Sequence, residues 1–168
     1  HKPFFADAIY ALGDKIIANQ NMVIETNEVY TKIDAKSMYI DWMVKEFSHL
    51  KGMSDKFIID CGNGVADTVL TEILDKLELN YDGIYCDPDG TFPNHHPDPT
   101  EDHNLAEVVE LMKSGEYDLG VAYDGDADRV VAVDNLGQII RADNMMALFL
   151  PEIVNDGDSI VFDVKCSQ

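Results

Sequence analysis

One stretch of the sequence gives the strongest indication of the fold: Leu119-Gly120-Val121-Ala122-Tyr123-Asp124-Gly125-Asp126-Ala127-Asp128-Arg129-Val130-Val131-Ala132-Val133. Two apolar runs, residues 119–123 and 130–133, stand on either side of six polar or small residues. Short apolar runs bounded by turn residues are typical of buried β-strands. The stretch therefore predicts two strands joined by a tight acidic loop, residues 124–129.

The acidic loop places three carboxylates at alternate positions, Asp124, Asp126 and Asp128. Three such groups turned toward one point repel one another, and a hard divalent cation such as Mg²⁺ relieves that repulsion. Gly125 lets the backbone bend closely around an ion, and Arg129 supplies a forked donor suited to a phosphate beside it. The loop therefore predicts a Mg²⁺ site, with a solvated acidic hairpin as the simpler alternative.

The rest of the chain alternates between strand-like and helix-like patterns, which predicts an α/β fold. We expect a three-layer α/β/α domain with a mixed sheet, preceded by a helical tail from a neighbouring domain. The predicted strands are residues 57–61, 83–86, 119–123, 130–133, 138–140 and 159–164, and the predicted helices are residues 4–18, 34–50, 66–77, 105–112 and 144–154.

The first two predicted helices carry apolar residues at helical spacing. In the first helix these positions are Phe5, Ile9, Leu12 and Ile16. The second helix begins at Asp34, a residue type favoured at the N-cap, and its predicted apolar face consists of Met38, Trp42, Met43, Phe47 and Leu50. Trp42 is the only tryptophan of the sequence. Because it lies on this predicted apolar face, we expect it in the core.

Composition and charge exclude several classes of function. The chain has 168 residues, of which 46% are hydrophobic and 26% charged, as in a soluble globular protein. Its 12 basic and 32 acidic residues give a net charge of -20, which argues against nucleic acid or an anionic membrane as a partner. Residues 51–168 hold 25 of the acids and only 7 of the bases. A composition break near residue 51 therefore coincides with the start of the strongly acidic part.

The cysteines and the first residue suggest where the chain comes from. Cys61, Cys86 and Cys166 are odd in number and widely spaced. This pattern favours reduced, buried thiols in the cytoplasm over a disulfide framework or a zinc site. Because the chain begins with His1, we expect it to be an excised piece of a longer protein.

Two other metal and phosphate patterns fit the acidic loop less well. An EF-hand loop needs Gly at its sixth position and Glu at its twelfth, where this chain has Arg129 and Asn135. The Asp-x-Asp loop of haloacid-dehalogenase-type phosphatases usually has Thr or Val where Asp128 stands. Neither pattern explains all three aspartates together with Arg129.

The acidic loop resembles the metal loop of the α-D-phosphohexomutases, the phosphoglucomutase and phosphomannomutase family. Three other stretches resemble parts of that family in the same order and spacing: Asp60-Cys61-Gly62-Asn63-Gly64, Asp89-Gly90-Thr91-Phe92-Pro93-Asn94-His95-His96-Pro97-Asp98-Pro99 and Asp163-Val164-Lys165-Cys166-Ser167. They match the first strand and turn of its second domain, its proline-rich loop and the strand that opens its third domain. The resemblance therefore runs from about Thr31 to the C-terminus.

The resemblance implies a domain organisation. Residues 1–30 would be the C-terminal remnant of a preceding domain and its connector. Residues 31–156 would be the α/β metal-binding domain, the second of four. Residues 157–168 would be the first strand of the following domain.

The resemblance also implies a mechanism. In the family, a phosphoserine of the first domain donates phosphate to a hexose phosphate, and the 1,6-bisphosphate that forms turns over and returns its other phosphate. By resemblance, Asp124, Asp126 and Asp128 hold Mg²⁺, and Arg129 contacts the phosphoserine or the phosphate in transit. Phosphoryl transfer depends chiefly on positioning and charge neutralisation, which agrees with these residue types.

Parts of the family pattern have no counterpart in the sequence: the serine loop, the sugar-reading loop and the phosphate clamp. We therefore expect a fragment that is inactive alone and acts with the remaining domains of the same polypeptide. Two alternatives remain open, a stand-alone acidic cation-binding module and a Mg²⁺-dependent phosphatase with Asp124 as nucleophile. The choice between glucose, mannose and glucosamine phosphates is open as well.

The adjacent histidines His95 and His96 are flanked by prolines. Neighbouring histidines cannot easily serve one metal, and the resemblance assigns them no chemical role. We therefore expect a structural role, in which hydrogen bonds lock the proline-rich loop.

Overall fold

The computed structural model describes residues 6–22 and 30–161. The chain divides into two compact units, His1–Ile33 and Asp34–Gln168. The first unit contains helix α1 (Asp7–Ala18). Its side chains are largely exposed, including Ile9, Leu12 and Ile16 of the predicted apolar face. The prediction of a helix over residues 4–18 is confirmed from Asp7 onward, whereas residues 4 and 5 lie outside the described residues.

The second unit is built on a five-stranded mixed sheet. Its strands are β1 (Lys56–Asp60), β2 (Asn80–Ile84), β3 (Leu119–Tyr123), β4 (Val130–Asp134) and β5 (Ile139–Ile140), in the spatial order β2-β1-β3-β4-β5. β1 runs parallel to both β2 and β3, whereas β4 is antiparallel to β3 and to β5. Its helices are α2 (Ala35–Glu46), α3 (Leu70–Lys76), α4 (Ala106–Lys113) and α5 (Ala142–Ile153).

Helices pack on both faces of this sheet. Successive side chains of a strand point to opposite faces. Ile58 of β1 packs with Val108 and Met112 of α4, whereas the next residue, Ile59, packs in a cluster with Leu70 of α3. The sheet therefore lies between α3 and α4, and the expected three-layer α/β/α domain with a mixed sheet is confirmed. None of the helices in the described ranges is both long and apolar enough to cross a membrane.

Helix α2 begins as predicted, but its packed face shares only Met43 with the part of the predicted face that lies within the helix. The side chain of Asp34 accepts a hydrogen bond from the N–H of Ser37 and so caps the helix. The prediction that Trp42 lies in the core is wrong, because 55% of this residue is exposed. Ile40 is buried instead, and Met43 and Val44 pack beside it against α3. Residues three and four apart lie on the same face of a helix. Trp42 is two positions from both Ile40 and Val44 and therefore lies beside the packed face.

The predicted end of α2 is also wrong. The helix stops at Glu46, and a 3₁₀ turn, Ser48–Leu50, follows. Phe47 falls at the junction, where the helical repeat is interrupted, and is 37% exposed. Met38, also assigned to the apolar face, is exposed as well. Extending the helical repeat through residue 47 therefore misplaced Phe47. Met38 is exposed for a different reason, because the packed face of α2 runs through Ile40, Met43 and Val44.

Most other predicted elements are present with shifted boundaries. β2 starts earlier than the predicted strand 83–86, because its polar residues Asn80 and Asp82 lie on an edge strand with exposed side chains. The strand ends before Tyr85, which has a left-handed φ of 53°. The predicted helix 66–77 begins as a 3₁₀ turn, Ala66–Thr68, and becomes α-helical at Leu70. Residues 159–161 of the last predicted strand have no regular structure, and residues 162–164 lie outside the described residues.

Candidate metal centre

The sheet has a topological switch point between β1 and β3. The chain passes from β1 to β2 on one side and then crosses back to β3 on the other side of β1. In open α/β sheets the crevice at such a point, outside the carboxyl ends of the strands, is the usual ligand site. The glycine turn, residues 62–64, follows β1 there, and the acidic loop follows β3. The fold alone therefore places the acidic loop where a ligand is expected.

The acidic loop is a tight connection between two antiparallel strands. The N–H of Asp124 donates to the carbonyl of Arg129 over 3.2 Å, and the N–H of Ala127 donates to the carbonyl of Asp124 over 3.1 Å. Ala127 has a left-handed φ of 60°, an uncommon conformation for a residue with a Cβ. These hydrogen bonds turn the chain back on itself within six residues.

This turn brings the three predicted metal ligands together. Carboxylate oxygens of Asp124, Asp126 and Asp128 all lie within 4.8 Å of one another. Asp124 is buried, with 1% exposed, whereas Asp126 and Asp128 are exposed. The arrangement offers a divalent cation one fixed oxygen at the base of the loop and two adjustable ones toward solvent.

Arg129, the predicted phosphate contact, pairs with carboxylates in this structure. Its backbone N–H donates to Oδ1 of Asp124 over 3.0 Å, and its Nε donates to Oδ2 over 2.6 Å. Its Nη1 donates to Oδ1 of Asp98 over 2.9 Å. The side chain is nevertheless about half exposed, at 49%. Arg129 therefore lies beside the three aspartates, as predicted, with its guanidinium fixed at one end and open to solvent.

Two carboxyl groups of the loop, those of Asp124 and Asp128, have pKa values shifted in opposite directions. Burial alone would raise the pKa of Asp124, but hydrogen bonds from the backbone and guanidinium of Arg129 outweigh burial and hold it below the ordinary value. The pKa of Asp128 is raised, first by the negative charge of Asp126 and then by its hydrogen bond with Asp124. The negative charges of its neighbours thus favour a positive charge beside Asp128, at the exposed end of the loop.

The glycine turn after β1 packs against the backbone of the acidic loop. The N–H of Val65 donates to the carbonyl of Gly125 over 3.0 Å. A Cβ on Gly64 would lie 2.7 Å from the same carbonyl oxygen, which is closer than a Cβ atom normally comes to a neighbouring heavy atom. Glycine at this position therefore allows the two loops to touch backbone to backbone.

The proline-rich loop, residues 87–102, is tied to the same glycine turn. The side chain of Asn94 donates to Oδ1 of Asn63 over 2.7 Å, and the side chain of Asn63 donates to the carbonyl of Asp87 over 2.8 Å. Asn63 is buried and has a left-handed φ of 56°. Asn63 therefore joins this long loop to the glycine turn, and the Asp98–Arg129 ion pair joins it to the acidic loop.

His95 makes hydrogen bonds of the kind predicted to lock the proline-rich loop. Its Nε2 lies 3.0 Å from Oδ2 of Asp60, and its Nδ1 lies 2.9 Å from the carbonyl of His96. Asp60 ends β1 and is buried, and burial raises the pKa of its carboxyl group although the hydrogen bonds from Gly62 and His95 oppose this. His95 therefore anchors the proline-rich loop to the end of a central strand, whereas the side chain of His96 is exposed.

Two residues of this site were missed by sequence reasoning. Asp98 pairs with Arg129 across 31 positions, and Asp60 pairs with His95 across 35. No periodicity or local spacing connects residues so far apart. The one available signal was the presence of both acids within stretches that resemble the phosphohexomutases.

The segment that contains this site matches a known protein family. Residues 37–137, more than half of the chain, match the family model described as phosphoglucomutase/phosphomannomutase, alpha/beta/alpha domain II. The chain belongs to the phosphoglucomutase/phosphomannomutase family. The resemblance inferred from the acidic loop and the three other stretches is thereby confirmed.

Curated members of this family share substantial sequence with the chain. A phosphomannomutase/phosphoglucomutase of Pseudomonas aeruginosa is 40% identical over 139 residues, which cover 82% of this chain and 30% of that protein. A phosphoglucomutase of Neisseria meningitidis serogroup A is 40% identical over 115 residues, covering 67% and 25%. The chain thus spans less than a third of the length of these relatives.

A solved structure shows the same architecture. The crystal structure of a phosphoglucomutase/phosphomannomutase family protein from Burkholderia thailandensis superimposes with a TM-score of 0.71 at 34% identity. The match covers 89% of this chain and 32% of that one. The chain therefore has the fold of part of a longer family member.

Proposed function

We propose that this chain is the Mg²⁺-binding domain of a phosphohexomutase that moves phosphate between O1 and O6 of a hexose phosphate. In this proposal the reaction passes through a phosphoserine and a hexose 1,6-bisphosphate. The observation that carries it is the group of three aspartate oxygens within 4.8 Å of one another, at the switch point of a member of this family.

The donor set of the acidic loop fits Mg²⁺. Asp124, Asp126 and Asp128 offer only carboxylate oxygens, which are the hard ligands that Mg²⁺ prefers. The raised pKa of Asp128 is consistent with a site that gains from a positive charge. When bound, the cation would supply charge neutralisation for a phosphoryl group held beside the loop.

The role proposed for Arg129 follows from the different partners of its guanidinium nitrogens Nε and Nη1. The Asp124 carboxylate holds Nε, so the plane of the guanidinium is fixed relative to the metal ligands. The other end pairs with Asp98, which also accepts hydrogen bonds from Thr100. An incoming phosphate would compete with Asp98 for this end. Arg129 would then orient the phosphate through a forked contact while the acidic loop stays in place.

The rest of the catalytic apparatus is assigned to other domains of the same polypeptide. A chain with a net charge of -20 repels a bisphosphate at long range, so we assign most of the phosphate-binding cations to those other domains. The coverage of only 30% of a curated relative supports this division. The phosphoserine and the sugar-reading residues belong to that remainder, in a cytoplasmic enzyme that works on free sugar phosphates.

The phosphatase alternative is weakened by the environment of Asp124. Both of its oxygens accept hydrogen bonds from Arg129, and the residue is 1% exposed. A nucleophilic carboxylate needs an accessible oxygen aimed at phosphorus. Asp124 is better suited to hold the loop and a cation than to attack a substrate.

The metal assignment is tested by calorimetric titration of the chain with Mg²⁺, and with Mn²⁺ as a second probe. We expect one weak site, because three carboxylates leave the remaining positions of an octahedral shell to water. Asp126→Asn should abolish it. Asp41→Asn, which removes one exposed charge from α2, should leave it unchanged. Tight binding that survives Asp126→Asn would show that the acidic loop is not the site.

The activity assignment needs the full-length polypeptide that contains this chain. A coupled assay with glucose 1-phosphate or mannose 1-phosphate, primed with the 1,6-bisphosphate, measures mutase turnover. We expect turnover that Asp126→Asn abolishes. Release of inorganic phosphate without isomerisation would favour a phosphatase, and metal binding without either reaction would favour a cation-binding module.

A further inference from the structure

A second cluster of potential ligands lies near the carboxyl ends of β1 and β2 and is chemically unlike the acidic loop. Cys61 follows β1 and Cys86 follows β2, and these parallel strands are neighbours. Their sulfur atoms lie 3.2 Å apart, and both residues are free thiols. Cys61 is fully buried. Wide spacing in the sequence argued against a shared role, but the parallel pairing of β1 and β2 brings the two thiols together.

A carboxylate completes this cluster. Asp67 lies in the 3₁₀ turn before α3, and ligand atoms of Cys61, Asp67 and Cys86 are all within 4.8 Å of one another. Oδ1 of Asp67 is buried and, within the described part of the chain, has no hydrogen-bond partner. A buried carboxylate oxygen without a partner is costly, and a cation bound to that oxygen would remove the cost.

The local sequence leaves room for the second sulfur. A Cβ on Gly83 would lie 2.7 Å from Sγ of Cys86, so glycine at this position allows the thiol to turn toward Cys61. Zn–S bonds of about 2.3 Å at tetrahedral angles place two sulfurs about 3.8 Å apart, so the thiols need to separate by roughly half an ångström. Cys86 and Asp67 are only partly buried, so this adjustment need not displace a fully buried side chain.

We propose that Cys61, Cys86 and Asp67 bind a soft divalent cation, of which Zn²⁺ is the type case. Two thiolates and one carboxylate form a donor set that selects Zn²⁺ over Mg²⁺, because sulfur is a poor ligand for hard cations. Three protein ligands leave the fourth tetrahedral position to water. The site is separate in chemistry from the acidic loop, so the two are expected to fill with different metals.

The site would stabilise the support of the acidic loop. Its three ligands come from the end of β1, the end of β2 and the turn before α3. Cys61 directly precedes the glycine turn whose neighbour Val65 donates to Gly125. A bound cation would tie these segments together and raise the unfolding temperature of the domain.

The experiment is a Co²⁺ titration of the reduced chain in a Cys166→Ser background, followed by displacement with Zn²⁺. Thiolate ligation of Co²⁺ gives a near-ultraviolet charge-transfer band that carboxylate sites lack. We expect this band to saturate at one Co²⁺ per chain and to disappear when Zn²⁺ is added. Asp126→Asn should retain it, which separates this site from the proposed Mg²⁺ site.

Ligand variants make the test specific. Cys61→Ser and Cys86→Ser should each abolish the band. Asp67→Asn keeps both thiols and the partly exposed turn, and it should weaken Co²⁺ affinity by at least about tenfold, with folding checked by circular dichroism. A wild-type chain without a band at millimolar Co²⁺, or a band unaffected by Asp67→Asn, would overturn the site. So would a mass about 2 Da lower under reducing conditions, which would mean that the thiols prefer a disulfide.

Discussion

Arg129 and Asp124 are joined twice: the Arg129 backbone N–H donates to Oδ1 of Asp124, and the Arg129 Nε donates to Oδ2. One residue thus satisfies both oxygens of a carboxylate that is 1% exposed. A buried charge is tolerated only when it is paired and hydrogen-bonded. The pair therefore keeps Asp124 ionised at the base of the acidic loop.

This pair predicts a pH-dependent contribution to stability. The folded pKa of Asp124 lies below its ordinary value of 3.8, so the ionised group stabilises the fold above that pH. The contribution is lost as the pH falls through the folded pKa. Arg129→Gln should therefore cost about 1–3 kcal/mol of unfolding free energy at pH 7, and less as the pH approaches 3. Urea unfolding at several pH values measures this.

Arg141→Gln is the matched control, because Arg141 is the other arginine of the sequence. It pairs with the exposed Asp102, which lies outside the acidic loop. Its loss should cost less than about 0.5 kcal/mol. In the Asp124→Asn background the effect of Arg129→Gln should largely vanish. An equal effect with and without Asp124 would assign the stabilisation to the Asp98 contact instead.

Gly64→Ala should damage the support of the acidic loop. The new Cβ would lie 2.7 Å from the carbonyl oxygen of Gly125, and a backbone atom cannot yield as a flexible side chain does. We expect a loss of about 1–3 kcal/mol of unfolding free energy together with weaker Mn²⁺ binding. Gly90→Ala has no atom within 4 Å of its new Cβ and should leave both quantities unchanged. Equal stability of the two variants would show that the loops move apart freely.

The neighbouring histidines provide a matched pair. His95→Ala removes the partner of a buried carboxylate, Asp60, and should lower the unfolding free energy at pH 7 by about 1–3 kcal/mol. His96→Ala removes an exposed side chain and should change it by less than about 0.5 kcal/mol. Thermal and urea unfolding of both variants measure these two changes in unfolding free energy. A larger loss in His96→Ala would reverse the assignment.

Helix α1 should be the least protected described element in amide hydrogen exchange. It is twelve residues long and buries none of its side chains. A helix of this length is marginal in water without packing. Its amides should exchange orders of magnitude faster than those of β1 and β3, in which residues such as Ile58 and Ala122 are buried. Protection equal to the central strands would require contacts that this unit lacks in the described residues.

Much of the fold was predictable because its signals are local. Apolar runs at residues 119–123 and 130–133 gave two strands within one residue of their observed limits. Alternate aspartates gave the candidate metal ligands, because carboxylate repulsion depends only on neighbours along the chain. The site residues that were found are those whose chemistry is encoded within six consecutive positions.

The rest depends on tertiary contacts. Trp42 looked like a core residue by type, but which face of α2 is buried depends on where α3 lies. β2 was misplaced because the side chains of an edge strand need not be apolar. The proximity of Cys61 and Cys86 follows from the parallel pairing of β1 and β2, which no spacing rule reveals. In each case the missing information is a partner distant in sequence.

In the full-length polypeptide that contains this chain, we expect Arg129 to contribute to mutase turnover. If its forked end meets the phosphate in transit, its contribution appears in turnover, because the contact strengthens as charge redistributes. Arg129→Lys keeps the charge but loses the two-point contact. One lost contact of this kind typically costs about 3 kcal/mol, or about a hundredfold in kcat. The three aspartates are untouched, so Mg²⁺ should still bind.

Steady-state mutase kinetics of the wild type, Arg129→Lys and Arg141→Lys measure this effect, with Mg²⁺ titrated in each. Arg141→Lys changes the other arginine of the chain and should keep kcat within about twofold, since its partners Asp102 and Thr100 lie outside the acidic loop. Wild-type turnover in Arg129→Lys would leave Arg129 as an ion-pair partner of Asp124 and Asp98 alone. Turnover that recovers at high Mg²⁺ would show that Arg129 organises the metal ligands and does not contact the phosphate.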